Sequence, residues 1–229
     1  MQTEKTPRYP SNNMPLEIHP VAESDLADFV RVQMAAFSHG GGITGLLTPK
    51  PLPPDYVEKS IGKHIKSWRE EPDVTYLKVI DTDLGGKMVA GAKWRINEKE
   101  RTEEQMQSTL PVPGPDEEGR PGAQDFMWFL NSVRREYMGT KPFYFLHILA
   151  TDPEHHRRGA GAMLIAWGTR KADSAQLPSF LESSPMGRPL YERMGFQEKY
   201  VKTWDLTKYG REGTDTSTVM IREPLLYVM

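Results

Sequence analysis

From residue 16 onward the chain alternates short apolar runs with stretches whose apolar residues recur every three or four positions, as strands and helices do in turn. Residues 16–21 read as a first strand. Ser24 is placed to cap a helix carrying Leu26, Phe29, Val30, Met34 and Phe37 on one face. Glycines at 40, 41, 42 and 45 end it in a loop that reads either as a mobile connection or as a flexible wall of a binding site. A second helix sets Val57, Ile61, Ile65 and Trp68 near one face and stops before Pro72. Residues 74–81 and 87–97 are strand-like and joined by Thr82-Asp83-Leu84-Gly85-Gly86, a hairpin with a glycine-bearing turn. The acidic segment 98–122, with its prolines and glycines, is expected to be a long, partly ordered loop inserted into the domain. Helical spacing resumes over 125–138 with Phe126, Phe129, Leu130, Val133 and Tyr137 aligned, and Met127 and Trp128 widen that apolar surface. It serves the core or the wall of a substrate pocket.

The densest information lies between 143 and 196. Residues 143–150 are a nearly unbroken apolar run of strand length, as a buried central strand requires. The sequence then turns through Asp152-Pro153-Glu154-His155-His156-Arg157-Arg158-Gly159-Ala160-Gly161-Ala162 into a helix with Ala160, Met163, Leu164 and Trp167 inward and Thr169, Arg170 and Asp173 outward. Small residues in such a turn let backbone N–H groups approach an anion, and the new helix adds its positive end. The spacing is neither that of a dinucleotide-binding turn nor that of a P-loop. Residues 178–183 read as another buried strand, and 184–196 as a short helix capped by Gly195.

Composition narrows the classes. The 229 residues carry a net charge of -2 and 38% hydrophobic residues, so the chain can bury a core and has no basic footprint for nucleic acid. No apolar run reaches the roughly 20 residues of a membrane span, and residues 1–15 read as a polar, flexible lead-in without a secretory signal. Cysteine is absent, which removes disulfides, cysteine zinc sites and thiolate nucleophiles, and fits a cytoplasmic protein. His155 and His156 are adjacent rather than spaced for a shared metal, so no metal site is expected.

The strand, then Asp152-Pro153-Glu154-His155 with Arg157-Arg158-Gly159 and Gly161, followed by Leu190-Tyr191-Glu192-Arg193-Met194-Gly195-Phe196, resembles the GNAT superfamily of acyl-CoA-dependent N-acetyltransferases. Phe180-Leu181-Glu182 and Ser184 before Pro189 are similar to the puromycin-type enzymes, and His147 to the arylalkylamine-type ones. The close match covers about a quarter of the chain, and the order of elements extends it across most of 16–222. The resemblance implies an α/β fold with a mixed, mostly antiparallel, V-split central sheet flanked by helices, in one domain over 16–229. It places acetyl-CoA between the strands 143–151 and 178–184, with the pyrophosphate loop on His156, Arg157, Arg158, Gly159, Ala160, Gly161 and Ala162. Leu149, Ala150 and Thr151 would hold the acetyl and pantetheine groups by their backbone, with Ser184 opposite. His156 stands where the family has Gln or Arg, Ser184 where it has Asn, and Gly187 where it has Ala.

Without cysteine no acyl-cysteine intermediate can form, which favours direct attack of an amine on the thioester. Neutralising a primary amine of pKa about 10 near pH 7 costs roughly 4 kcal/mol, so a base or a desolvating pocket is needed, and the departing thiolate wants an acid. The resemblance gives Tyr191 the role of acid and His147 that of base acting through water. Glu182 is the competing base, or a structural carboxylate. His147 is expected on the strand face of Leu149 and Thr151. The leading expectation is a small-molecule amine N-acetyltransferase that works with acetyl-CoA and neither nucleic acid nor membrane. A peptide or protein acetyltransferase and a non-enzymatic acyl-CoA-binding module are the alternatives, and monomer and homodimer stay open.

Overall fold

The computed structural model describes residues 15–38 and 42–225. Apart from Pro15, the expected lead-in lies outside the described residues, as do Gly40 and Gly41 of the glycine-rich loop. Seven strands form one sheet: β1 Leu16–Pro20, β2 Val74–Asp81, β3 Lys87–Asn97, β4 Phe143–Thr151, β5 Ser179–Ser183, β6 Gln197–Asp205 and β7 Thr214–Arg222. Their order is β1-β2-β3-β4-β5-β7-β6. All neighbours are antiparallel except β4 and β5. Among the described residues six α-helices accompany this sheet: α1 Leu26–Ser38, α2 Tyr56–Glu70, α3 Glu103–Ser108, α4 Pro121–Tyr137, α5 Ala160–Ala175 and α6 Arg188–Arg193. Among the described residues no helix is long and apolar enough to cross a membrane.

The parallel pair is brief. Tyr144 faces Ser179 and Phe145 faces Phe180, and beyond these positions β4 and β5 no longer pair, so the sheet opens as the expected V. The opening coincides with a bulge. Lys93 faces Ile148 and Trp94 faces Leu146, which leaves His147 as the extra residue of β4. A bulge bends its strand and adds local twist, here at the point where β4 leaves β5.

The core lies on both faces. On one, Trp94, Leu146 and Leu181 pack with Leu164 of α5, and the Trp94 Nε1 donates to the Leu164 carbonyl at 3.3 Å. Gly168 permits this approach, because a Cβ there would collide with the Trp94 ring. On the other face, Phe29 of α1 meets Tyr76 and Ala150, and Val133 of α4 meets Phe145 and Phe180.

Three expectations are corrected. Ser24 does not cap α1: a 3-10 turn takes Glu23–Asp25, and the Asp25 carboxylate accepts from the Ala22 N–H at 2.7 Å. Segment 98–122 is not a plain loop. Thr102 and Gln105 form a capping box that starts α3, buried Met106 docks that helix, and Pro121 opens α4 a turn earlier than the apolar spacing implied. On α5, Thr169 and Asp173 are buried rather than outward, because Asp173 accepts two bonds from Arg222 of β7 at 2.6 and 2.9 Å.

Candidate active site

Past Thr151 the chain is fastened before it turns. Asp152 is buried and accepts from the Glu154 N–H at 3.2 Å and from Arg31 of α1 at 3.2 Å. Arg157 (φ 62°) and Gly159 (φ 92°) both take left-handed backbone, natural for glycine and strained for arginine. Among the described residues, no backbone N–H from Arg157 to Ala162 donates to a protein acceptor, and α5 has no side-chain cap at this end. A run of unpaired donors at the positive end of a 16-residue helix is a site for an anion. Gly161 faces the second arm: a Cβ there would sit 3.3 Å from Leu190 of α6, 3.6 Å from the Thr151 hydroxyl and 3.8 Å from Leu149.

The basic side chains of this loop divide their work. Arg158 forms a 2.6 Å ion pair with buried Asp81 at the end of β2 and donates to His155 Nδ1 at 3.0 Å, so its charge holds the loop to the sheet. The His156 ring donates to the Thr151 carbonyl at 3.1 Å and braces the loop against β4. Arg157 stands exposed at the crest.

The second arm of the V is β5 and the turn into α6. Ser184 organises that turn: its carbonyl accepts from the Ser183 hydroxyl at 2.7 Å, and its hydroxyl accepts from the Gly187 N–H at 3.3 Å. Tyr191 of α6 is buried, edge-on to Phe196 at 6.1 Å. Its ring lies against Gly187, where a Cβ would come within 2.8 Å of it, so glycine rather than alanine makes room for the phenol. Burial raises the Tyr191 pKa well above the ordinary phenol value, and the hydroxyl keeps its proton at neutral pH.

His147 does not share a face with Leu149. It stacks on Phe145, centroids 5.2 Å apart, whereas Leu149 packs on the α5 side with Trp94. The bulge is the cause, since one extra residue reverses the alternation between Phe145 and Leu149. His147 Nδ1 is buried and has no hydrogen-bond partner among the described residues. Burial first, then the charges of Arg134, Lys93 and Arg95, hold its pKa well below the ordinary imidazole value. A titration of His147 near 6.5 is therefore not expected.

Glu182 sits on β5 as one half of a buried ion pair. Arg134 of α4 donates to both its oxygens, at 2.7 and 3.2 Å, and the same guanidinium lies over the Phe145 ring at 4.8 Å. A carboxylate held this way is a poor candidate for a base. Among the described residues no group of three or more acidic or histidine side chains could hold a metal ion.

A V-split mixed sheet, with a run of unpaired N–H donors on one arm and a buried tyrosine on the other, suits an acyl-CoA-dependent transferase. The acetyltransferase (GNAT) family model matches residues 48–196, and the chain belongs to that family. It is an acetyl-CoA-dependent N-acetyltransferase acting on an amine acceptor. Among solved structures it is similar to a histone acetyltransferase HPA2 and related acetyltransferase from Corynebacterium glutamicum, with 16% identity over 94% of this chain and 99% of that one, TM-score 0.60. It is also similar to arylalkylamine N-acetyltransferase 2 from Aedes aegypti, with 12% identity over 93% and 99%, TM-score 0.62. The ribosomal-protein-S18-alanine N-acetyltransferase from Escherichia coli matches with 15% identity over 93% and 97%, TM-score 0.52. At these identities the likeness is one of fold.

Sequence reasoning pointed to the loop and to both arms, and named His147, Glu182 and Tyr191 as candidates, with His147 on the wrong face. It missed Arg134, read only as part of a helix, and the polar group Lys93, Ser67, Tyr76 and His64 beneath α2. One signal was present: His64 and Ser67 lie three residues apart on α2, so they share the face that meets the sheet.

Proposed function

We propose that the protein transfers an acetyl group from acetyl-CoA to the primary amine of a small molecule by direct attack, with no covalent acyl-enzyme. The observation that carries this reading is the buried, protonated Tyr191 across the V from the anion-binding loop. The backbone N–H groups from Arg157 to Ala162 would hold the pyrophosphate, with the exposed Arg157 adding charge. Leu149, Ala150, Thr151 and Ser184 would line the pantetheine. The amine nitrogen attacks the thioester carbon, the C–S bond breaks, and the Tyr191 proton passes to the departing sulfur. His147 faces the amine and takes its proton through water. We assign Glu182 to the buried ion pair with Arg134 and not to proton transfer.

The turn Ile43–Leu46 after α1 supports a small acceptor. The Ile43 N–H donates to Asp215 of β7 at 2.7 Å, and Ile43 packs with Phe126 of α4 and Trp204 of β6. A wall fastened to three other elements leaves less room for a polypeptide than an open groove. The neighbour from Aedes aegypti is named for arylalkylamines, which fits an acceptor of this size. We place the reaction in the cytoplasm on the strength of the cysteine-free sequence.

The test is a panel of arylalkylamines and of peptides with free N-termini, each incubated with acetyl-CoA. Thiol release is followed, and products are read by intact mass. Acetylated amine with unmodified peptide is expected. Peptide products alone would move the assignment to the protein-directed class, and CoA binding with no product would make the chain a binding module.

A further inference from the structure

The register of β7 puts Asp215 at the mouth of the V. β4 and β5 pair at Phe145 and Phe180 and then part, so the gap widens toward Thr151 on one arm and Ser183 on the other. Ser183 faces Thr218 of β7, and Asp215 lies three residues further in the direction of the opening, about 10 Å on. Asp215, Ser217 and Val219 alternate onto one face of β7. Val219 packs there with Phe145, the ring on which His147 stacks.

On that face Asp215 holds the chain that follows α1. Its carboxylate accepts from the Ile43 N–H at 2.7 Å. Arg211, just before β7, donates to the Gly42 carbonyl at 3.2 Å and to the Gly45 carbonyl at 3.4 Å. Ile43 is fully buried, with Phe126 and Leu130 of α4 and Trp204 of β6 around it. α1 itself belongs to the opposite arm: Phe29 and Ala36 pack with Ile148 and Ala150 of β4, and Arg31 donates to Asp152 at 3.2 Å. The helix therefore rests on the β4 arm, while Gly42 and Ile43, the next described residues, are fastened to the β7 arm. The chain bridges the mouth of the V, and Asp215 ties down its far end.

The approach is close enough to dictate a residue. A Cβ on Gly42 would fall 2.0 Å from the Asp215 carboxylate oxygen. Gly42 has a φ of -81°, which any residue adopts, so glycine is needed here for room and not for backbone freedom.

We propose that Asp215 is a specificity-determining residue. By clasping the turn Ile43–Leu46 across the mouth of the V, it sets the width open to the acceptor. It thereby confines the reaction to slender primary amines, such as a single ring on an unbranched chain. The inference rests on the reading of this turn as the acceptor wall. Asp215 acts through the turn, as a positioning residue.

The test compares 2-phenylethylamine with 3,3-diphenylpropylamine, a broader primary amine. Wild type should favour the slender one. Asp215→Ala should shrink the ratio of the two kcat/KM values by about tenfold or more, mainly through KM, with acetyl-CoA affinity unchanged. Asp215→Asn keeps an oxygen for the Ile43 N–H and should restore most of the ratio. Gly42→Ala drives a methyl group into the carboxylate and should reproduce the Asp215→Ala ratio, which decides the matter if Asp215→Ala does not fold. Combined with Asp215→Ala it should add nothing, because the group it displaces is gone. A wild-type ratio in folded Asp215→Ala or Gly42→Ala overturns the proposal, as does a wild type without preference for the slender amine. Equal losses on both amines, the mark of a general packing defect, overturn it too. Wild-type protein that binds acetyl-CoA and acetylates neither amine refutes the amine reading instead, and the role of Asp215 falls with it.

Discussion

Replacing Glu182 by glutamine decides whether that carboxylate holds the fold or takes a proton. Both partners of its ion pair are nearly closed to solvent, at 7% for the Arg134 side chain and 9% for Glu182. Two bonds join them, and the guanidinium also lies over the Phe145 ring. Removing one charge of a buried pair costs about 3–5 kcal/mol, because the other charge stays buried without compensation. Gln keeps one oxygen that can accept from Arg134, which sets the expected loss at the lower end, about 3 kcal/mol. Against a total stability of about 5–15 kcal/mol that is a large fraction. With a urea dependence of about 2–3 kcal/mol per molar, the midpoint should fall by about 1–1.5 M. Urea unfolding followed by the fluorescence of buried Trp94 and Trp204 measures it. The double variant Arg134→Met with Glu182→Leu should recover most of the loss, since an apolar pair of similar volume often replaces a buried ion pair without cost. Glu182→Gln that unfolds at the wild-type midpoint, but has lost turnover, would refute the structural reading and make Glu182 the base.

Tyr191→Phe keeps the ring against Gly187 and removes the proton; kcat should fall at least about tenfold, about 1.4 kcal/mol, with acetyl-CoA affinity unchanged, as stopped-flow turnover and calorimetry would show. Gly161→Glu puts a side chain against Leu190 and a negative charge among the loop's N–H donors, so calorimetry on the folded variant should detect no acetyl-CoA binding. Burial and Lys93 bring His64 down to about 4 in the folded protein, from 6.5 when unfolded. Between those values the unfolded chain binds a proton that the folded one does not, so stability is lost as pH falls from 6.5 toward 4, by on the order of 3 kcal/mol. Urea midpoints at pH 7.5 and 4.5 should therefore differ less in His64→Gln than in wild type.

Legibility in the sequence followed the range of the interactions. β2, β3 and β4 were read within a residue of their observed bounds, because apolar alternation and a glycine-bearing turn are local signals. The V was legible only through resemblance, since nothing in residues 143–151 alone says that pairing with β5 stops at Phe145. The face of His147 was misread because strict alternation assumes a regular strand, and the bulge depends on the register with β3. Arg134 and Glu182 lie 48 residues apart, and Lys93 and Ser67 26 apart; such pairs exist only once the sheet has brought them together. The cap of α1 was missed for a local reason: Asp25, reaching back to Ala22, competes with Ser24 and wins.

Because β4 and β5 pair at only two positions, the sheet contains two strand margins in its middle as well as those on β1 and β6. Proteins protect outer margins with short strands, charges or covering helices, but a margin inside a cleft that must admit a cosubstrate cannot be covered permanently. On the proposed placement of acetyl-CoA in this cleft, the cosubstrate would cover both margins and should keep the chain from pairing with its own copies. Ligand at a hundred times its dissociation constant adds about 2.7 kcal/mol against opening. The acetyl-CoA supply would then set the working lifetime of this protein as well as its rate, and light scattering on warming, with and without acetyl-CoA, would show the ligand delaying aggregation.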